Sequence, residues 1–205
     1  MINKIITVFF VFIFTTASLI AGSDTFASYP RELSEAVQTI YKLDEARDFI
    51  AKVQEEGPVS IEINRHLPTK FNAFWDPDAR KIFITQKRGR SLGSYILSIM
   101  FEMHNASVAK KQNILDQQVL HGTISKTKYV EEQEYLEYVN ANNTAKLMDI
   151  GIAKGIFPPD AKGHYFPSFN TYFDIQKKYG HSAMHAKNFE TLVNMKNRGI
   201  RSLRT

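Results

Sequence analysis

Strand-like alternation is confined to residues 59–85 of this chain, and apolar residues spaced three and four apart fill the segments on either side. This segregation constrains the fold more than any other feature. Parallel α/β proteins alternate strand and helix along the chain, whereas grouped strands flanked by helices build an α+β domain. The expectation is a mainly helical α+β fold. It has a small antiparallel three-stranded sheet after the first helix and a long helix following a hairpin.

The individual segments follow from spacing and punctuation. Leu33, Val37, Ile40, Leu43, Ala46, Phe49, Ile50 and Val53 form one stripe of an amphipathic helix over residues 31–56, stopped by Gly57-Pro58. Residues 59–63 alternate as a half-buried strand does. Residues 71–75 and 81–85 are β-like runs joined by Asp76-Pro77-Asp78-Ala79-Arg80, a turn sequence, so they form a hairpin. A helix is expected over 91–118 with Ser91 as cap and Gly122 closing the segment. Another spans 125–154, ended by Gly155 and Pro158-Pro159. After a loop around His164, helices follow over 168–179 and 182–197.

The first 27 residues differ from the rest. They hold only Lys4 and Asp24 as charged side chains and an unbroken apolar run from Ile5 to Phe14, followed by small and polar residues. A basic start, a short apolar stretch and small residues before a cleavage point make a secretory signal peptide. Cleavage fits after Ala27, with Ala21 as the competing position. Residues 5–21 are at the lower limit for a membrane span, and no later segment is long and apolar enough to be one. The expectation is therefore an exported, periplasmic or secreted protein, with residues 28–205 as a single domain. The absence of cysteine excludes a disulfide scaffold and a lipid-anchoring cysteine, and it leaves only histidine and carboxylate to hold any metal.

Charge is equally uneven. Lys177, Lys178, Lys187, Lys196, Arg198, Arg201 and Arg204 are offset only by Glu190, so residues 177–205 carry +6 and the rest of the chain −1, which together make the net +5. A solvated helix face is one reading of this basic segment, and contact with an anionic polymer or lipid is another. No nucleic-acid-binding motif accompanies it, and nucleic acid is not an expected partner. Serine catalysis lacks its GxSxG or SxxK signature, and no glycine-rich phosphate loop is present.

The most informative stretch is the helix after the hairpin. At about 100° per residue, Tyr95, Ser98, Ile99, Glu102, Asn105, Ala106 and Ala109 share one face, and Glu102 is at its centre. A carboxylate there must be paired, hydrogen-bonded or protonated. His104 falls nearly opposite and is expected to face solvent or another surface. Trp75, Tyr165, Phe166, Phe169, Tyr172 and Phe173 either fill the core or line a ligand groove.

This hairpin and helix resemble those of the zincin metallopeptidases, whose active helix carries HExxH behind a cleft-lining strand. The corresponding residues here are Phe101-Glu102-Met103-His104-Asn105. The resemblance implies that Glu102 stands at the general-base position while Phe101 and Asn105 occupy the two zinc-ligand positions, which neither can fill as phenylalanine and amide. One zincin branch takes a third ligand from a glutamate on a later helix, and Glu134 or Glu137 matches that place. Both lie on a stripe with Val130, Ala141, Ala145 and Met148, although Glu131, Glu132, Glu134 and Glu137 also read as a solvated acidic face. His181 and His185, one helical turn apart, can bite one metal ion. Their place at a helix N-terminus favours neutral imidazole.

Two functions follow as expectations. One is an exported binding protein on a zincin-like scaffold without its zinc ligands, facing a protein or cell-envelope partner and needing no cofactor. In it Glu102 and Asn105 join Glu134, Glu137 or the two histidines in a buried polar network. The other is a zinc-dependent hydrolase of a peptide or cell-wall bond, with Glu102 as general base and metal at His181 and His185.

Overall fold

The computed structural model describes residues 25–65 and 71–199. Most of the expected signal peptide, and Arg201 and Arg204 of the basic segment, lie outside the described residues. The fold is α+β: ten principal elements place a three-stranded sheet and two short helices on one side of a long helical body.

A 3-10 turn at Arg31–Leu33 leads into α1 (Ser34–Tyr41) and α2 (Asp44–Gln54). The single helix expected over 31–56 is therefore bent, with Leu43 extended at φ −94° and ψ 114°. Spacing could not register the bend, because Ile40, Leu43, Ala46 and Ile50 stay fully buried across it. Asp44 and Glu45 then begin α2 where the helix dipole favours acids.

The sheet comprises β1 (Ser60–Asn64), β2 (Ala73–Asp76) and β3 (Lys81–Thr85), in the order β1-β3-β2. The hairpin of β2 and β3 is antiparallel as expected, and Asp76 Oδ1 accepts from the Asp78 and Ala79 amides in its turn. β1 corrects the expectation of a purely antiparallel sheet, since it pairs parallel to β3. β1 and β2 run in opposite directions but are not neighbours; β3 inserts between them and so matches the direction of β1. Ile61, Ile82 and Ile84 face the core, while Phe74 and Phe83 stack across strands at 4.9 Å on the other face. Residues 25–28 extend the β1 edge. Ser28 bridges Ser60 in parallel, the Ala27 amide donates to Val59 O, and the Phe26 ring is buried with its amide on the Tyr41 hydroxyl.

α3 (Leu92–Ser107) is capped by Ser91, whose hydroxyl accepts from the Ser94 amide. It is enclosed by α1, α2, β2, β3 and the 3-10 turn at Pro159–Ala161. Gly93 permits that last contact, because a Cβ there would lie 2.4 Å from the Ala161 nitrogen. Such enclosure overturns the expectation for His104. It is buried, its ring stacked on Phe49 at 4.3 Å and its Nδ1 2.8 Å from Met100 O and 3.0 Å from Thr144 Oγ1. Burial pushes its pKa down, against the Met100 hydrogen bond.

The helix expected over 91–118 breaks at Val108, and α4 (Ala109–His121) continues in a new direction to the αL residue Gly122. The Ser107 hydroxyl donates to His104 O at this joint. α5 (Lys126–Ala153) is the longest element and crosses α3; α6 (Phe169–Lys178) and α7 (His181–Asn197) pack on it. One core lies between the sheet, α1, α2 and α3, and a smaller one of Val119, Tyr129 and Leu192 joins α4, α5 and α7. Among the described residues, no helix is long and apolar enough to cross a membrane.

Candidate metal centre and adjoining cavity

Three helices bring the acidic and histidine candidates together. α5 supplies Glu134 and Glu137 from one face, α7 supplies His181 and His185 from its first two turns, and α3 presents Glu102 beside them. One donor atom from each of Glu134, Glu137, His181 and His185 lies within 4.8 Å of the other three. All but Glu134 of these five residues line one open cavity of about 820 Å³.

Glu134 is fully buried. Its Oε1 accepts from Ser182 Oγ at 2.7 Å and lies 3.1 Å from His181 Nδ1, whereas its Oε2 is buried without a hydrogen-bond partner. His181 Nε2 lies 3.5 Å from Glu137 Oε2, and His185 Nε2 lies 3.5 Å from Glu137 Oε1 without a hydrogen bond. The acidic-face reading therefore divides. Glu131 and Glu132 are on the surface pairing with Lys128, while Glu134 and Glu137 face inward.

Burial opposes charge on His181, but the Glu134 hydrogen bond and the fields of Glu137, Glu134 and Glu102 outweigh it and raise its pKa. The carboxylates thus override the helix dipole, which was expected to keep this imidazole neutral. At Glu137, burial is outweighed by His185, His181 and the Tyr172 hydroxyl, and its pKa is lowered.

Glu102 is 5% exposed. Burial, with the charge of Glu137, pushes its pKa up to about 8 against the opposing hydrogen bonds of Asn105 and the Trp75 backbone and the field of His181. Asn105 Nδ2 donates to Glu102 Oε2 at 2.9 Å, and Asn140 Nδ2 donates to Asn105 Oδ1 at 2.9 Å. Asn140 fixes which way the Asn105 amide faces, so the nitrogen meets the carboxylate. Asn105 thus belongs to the expected network with Glu102, but it bonds neither to Glu134 nor to Glu137 in any contact observed.

Sequence reasoning missed Asn140, Ser182 and the bond of Tyr172 to Glu137. Asn140 continues the three-residue spacing of Glu134 and Glu137, and Ser182 follows His181, so both had a signal. Tyr172 reaches Glu137 Oε2 at 3.4 Å from α6, a pairing no spacing reveals. Of the aromatic candidates, Trp75, Phe166 and Tyr172 line the cavity, while Phe169 and Phe173 stack together half-exposed outside it and Tyr165 is exposed.

The four donors suit a divalent ion. Tetrahedral zinc with bonds of about 2.0–2.1 Å sets its donors roughly 3.4 Å apart. One donor from each of the four side chains lies within 4.8 Å of the other three, so the side chains must draw in to reach that spacing, and two of them carry buried atoms without a hydrogen-bond partner, Glu134 Oε2 and His185 Nε2. Two imidazoles and two carboxylates without thiolate fit zinc or a harder first-row dication. No family model matches the chain, and no curated protein or solved structure matches it either.

Proposed function

We propose that this protein is an exported metal-dependent hydrolase that cleaves polypeptide. One observation carries this reading: Glu134, Glu137, His181 and His185 converge beside the buried Glu102 on an open cavity. His181, His185 and Glu137 would hold the ion, with Glu134 as a fourth ligand or as the group that orients His181. The chemistry such an ion supplies when bound is a water of lowered pKa and a polarised carbonyl.

The chain's own residues do the rest. Asn105 and the Trp75 backbone hold Glu102 in place, so that its carboxylate can take the proton of the attacking water and return it to the leaving nitrogen. Polypeptide is favoured as substrate by the sheet edge. Phe74 faces Phe83, and Thr85 donates to Asn72 O, so the alternation of an antiparallel ladder turns the backbone of Ala73 and Trp75 away from β3. Ala73 and Trp75 line the cavity, and an extended peptide can pair with this edge through the Ala73 backbone and the Trp75 carbonyl, the Trp75 amide being engaged by Glu102. The zincin-like hairpin and helix are retained in this reading for the base alone, with the ligands drawn from α5 and α7.

The second reading, a non-hydrolytic exported binding protein, is favoured by Phe101 and Asn105 beside Glu102 and by the closed contact of His181 with both glutamates. Metal analysis separates the two. Protein purified without chelator should carry about one equivalent of zinc or a comparable dication. A protein that is empty, and whose melting temperature ignores added zinc, manganese and iron(II), refutes the hydrolase.

A further inference from the structure

We infer that the cavity selects an uncharged, apolar stretch within a polypeptide and turns away segments bearing a carboxylate, a chain's C-terminus included. This rests on the reading of the cavity as a peptide site and specifies what that site accepts.

The walls are apolar where a side chain would sit: Phe71, Trp75, Leu97, Phe101, Phe166 and Met184. The polar groups between them, such as Thr144, Gln176 and Asn188, carry no charge. Among the described residues, no lysine or arginine lines the cavity, and the acids Glu102 and Glu137 do. Among the described residues, two cations that touch the cavity-lining Asn72 are engaged in hydrogen bonds. Arg90 bonds Ser94, Ser98 and the carbonyls of Asn72 and Thr85, and Lys87 bonds Asn72 Oδ1.

A carboxylate entering this space would lose its water and meet Glu137, and the His181 imidazole there is already held between Glu134 and Glu137. A bound dication does not reverse this, because Glu134 and Glu137 already balance its charge. A site that removed C-terminal residues would need a free cation to seat the terminal carboxylate; no lysine or arginine is among the described walls, and His181 is already engaged by Glu134 and Glu137. The specificity is therefore directed to apolar segments away from the chain's C-terminus.

Trp75 is the chain's single tryptophan and lines the cavity, so its fluorescence reports occupancy. The test titrates the full mature protein with three hexapeptides, with and without zinc, following Trp75 emission and calorimetric heat. One is blocked at both ends with a central Phe-Leu pair, one replaces that pair by Asp-Asp, and one ends in a free carboxylate directly after the pair. The blocked apolar peptide should bind at least tenfold more tightly than either anionic one. Gln176→Arg, on the half-exposed face of α6, should narrow the gap by tightening the anionic peptides, which general damage to the fold would not do. Equal or tighter binding of an anionic peptide, or no binding by any of the three, overturns the inference. Zinc uptake is read separately. A protein that takes zinc yet prefers anionic peptides refutes the specificity alone, and one that discriminates peptides without taking zinc refutes the hydrolase alone.

Discussion

Replacing Glu102 by glutamine should stabilise the metal-free protein, and by an amount that depends on pH in a defined way. The carboxyl is protonated in folded and unfolded chains below its ordinary value of 4.5, and there it contributes nothing to the difference. As pH rises from 4.5 towards about 8, the unfolded chain releases the proton while the fold retains it, so stability is lost progressively. Above about 8 the folded carboxyl ionises too and the penalty is complete. At about 1.36 kcal/mol per pH unit the cost is roughly 3 kcal/mol at pH 7 and roughly 5 kcal/mol above pH 8. Glutamine keeps an oxygen to accept from Asn105 and carries no charge to desolvate. For a domain of this size, Glu102→Gln should therefore raise the melting temperature by roughly 6–12 °C at pH 7. Urea unfolding of both proteins in chelator, from pH 4.5 to 8.5, reads the difference directly. Glu137 and His181 are present in both proteins and differ between them only through the field of Glu102. Added zinc should shrink the gap, because a neighbouring dication favours the carboxylate. Parallel stability curves across the whole pH range would refute the claim that Glu102 is a desolvated carboxyl.

Other perturbations test other parts of the molecule. His185→Ala should abolish the rise in melting temperature on adding zinc and lower the metal-free melting temperature modestly, because the imidazole 3.5 Å from Glu137 Oε1 helps keep that carboxylate charged; a retained zinc response would remove His185 from the ligand set. Intact mass of the exported protein should place its first residue before Thr25, consistent with processing at Ala21, because cleavage after Ala27 would strip the buried Phe26 and its backbone bonds from the β1 edge. Phe26→Ala should accordingly cost about 3–5 kcal/mol in chemical unfolding, and a mature chain beginning at Ser28 would show that this edge is dispensable.

The elements were legible where one face of a segment is buried and the other is wet. The stripe from Leu33 to Val53, the Asp76–Arg80 turn, the Ser91 cap and the Gly122 stop all appear where their spacing and chemistry placed them. Legibility failed where a helix is buried on every side. On α3, Met100 and His104 oppose Glu102 and yet are as buried as it is, because α1 and α2 cover one side and α5 the other. Periodicity has no contrast to report there. It failed also at the bend near Leu43, where the buried stripe continues across a change of direction, and at the break at Val108, where no buried residue lies between Ala106 and Asp116. At the site, each residue pair had a local signal, Glu134 with Glu137 and His181 with His185, but their meeting depends on α5 and α7 docking across 47 residues of chain. No spacing within either helix encodes that contact.

That docking links the metal centre to stability as well as to chemistry. α7 takes no part in the main core, and its apolar anchorage is the small cluster of Leu192, Phe189 and Val193 against Val119 and Tyr129. Its first turns are held instead by polar contacts: Ser182 and His181 to Glu134, and His185 facing Glu137. In the metal-free protein a proton on His181 strengthens this joint, since Glu134 and Glu137 both face it. A dication bound by the same four side chains would replace that proton and hold the joint at any pH where imidazole is free to coordinate. Metal loading should thus tighten α7 against α5 without altering the sheet or α1 to α3. Because His181 and His185 also line the cavity, the same event that supplies the reaction's ion would also fix one wall of the space that receives the substrate.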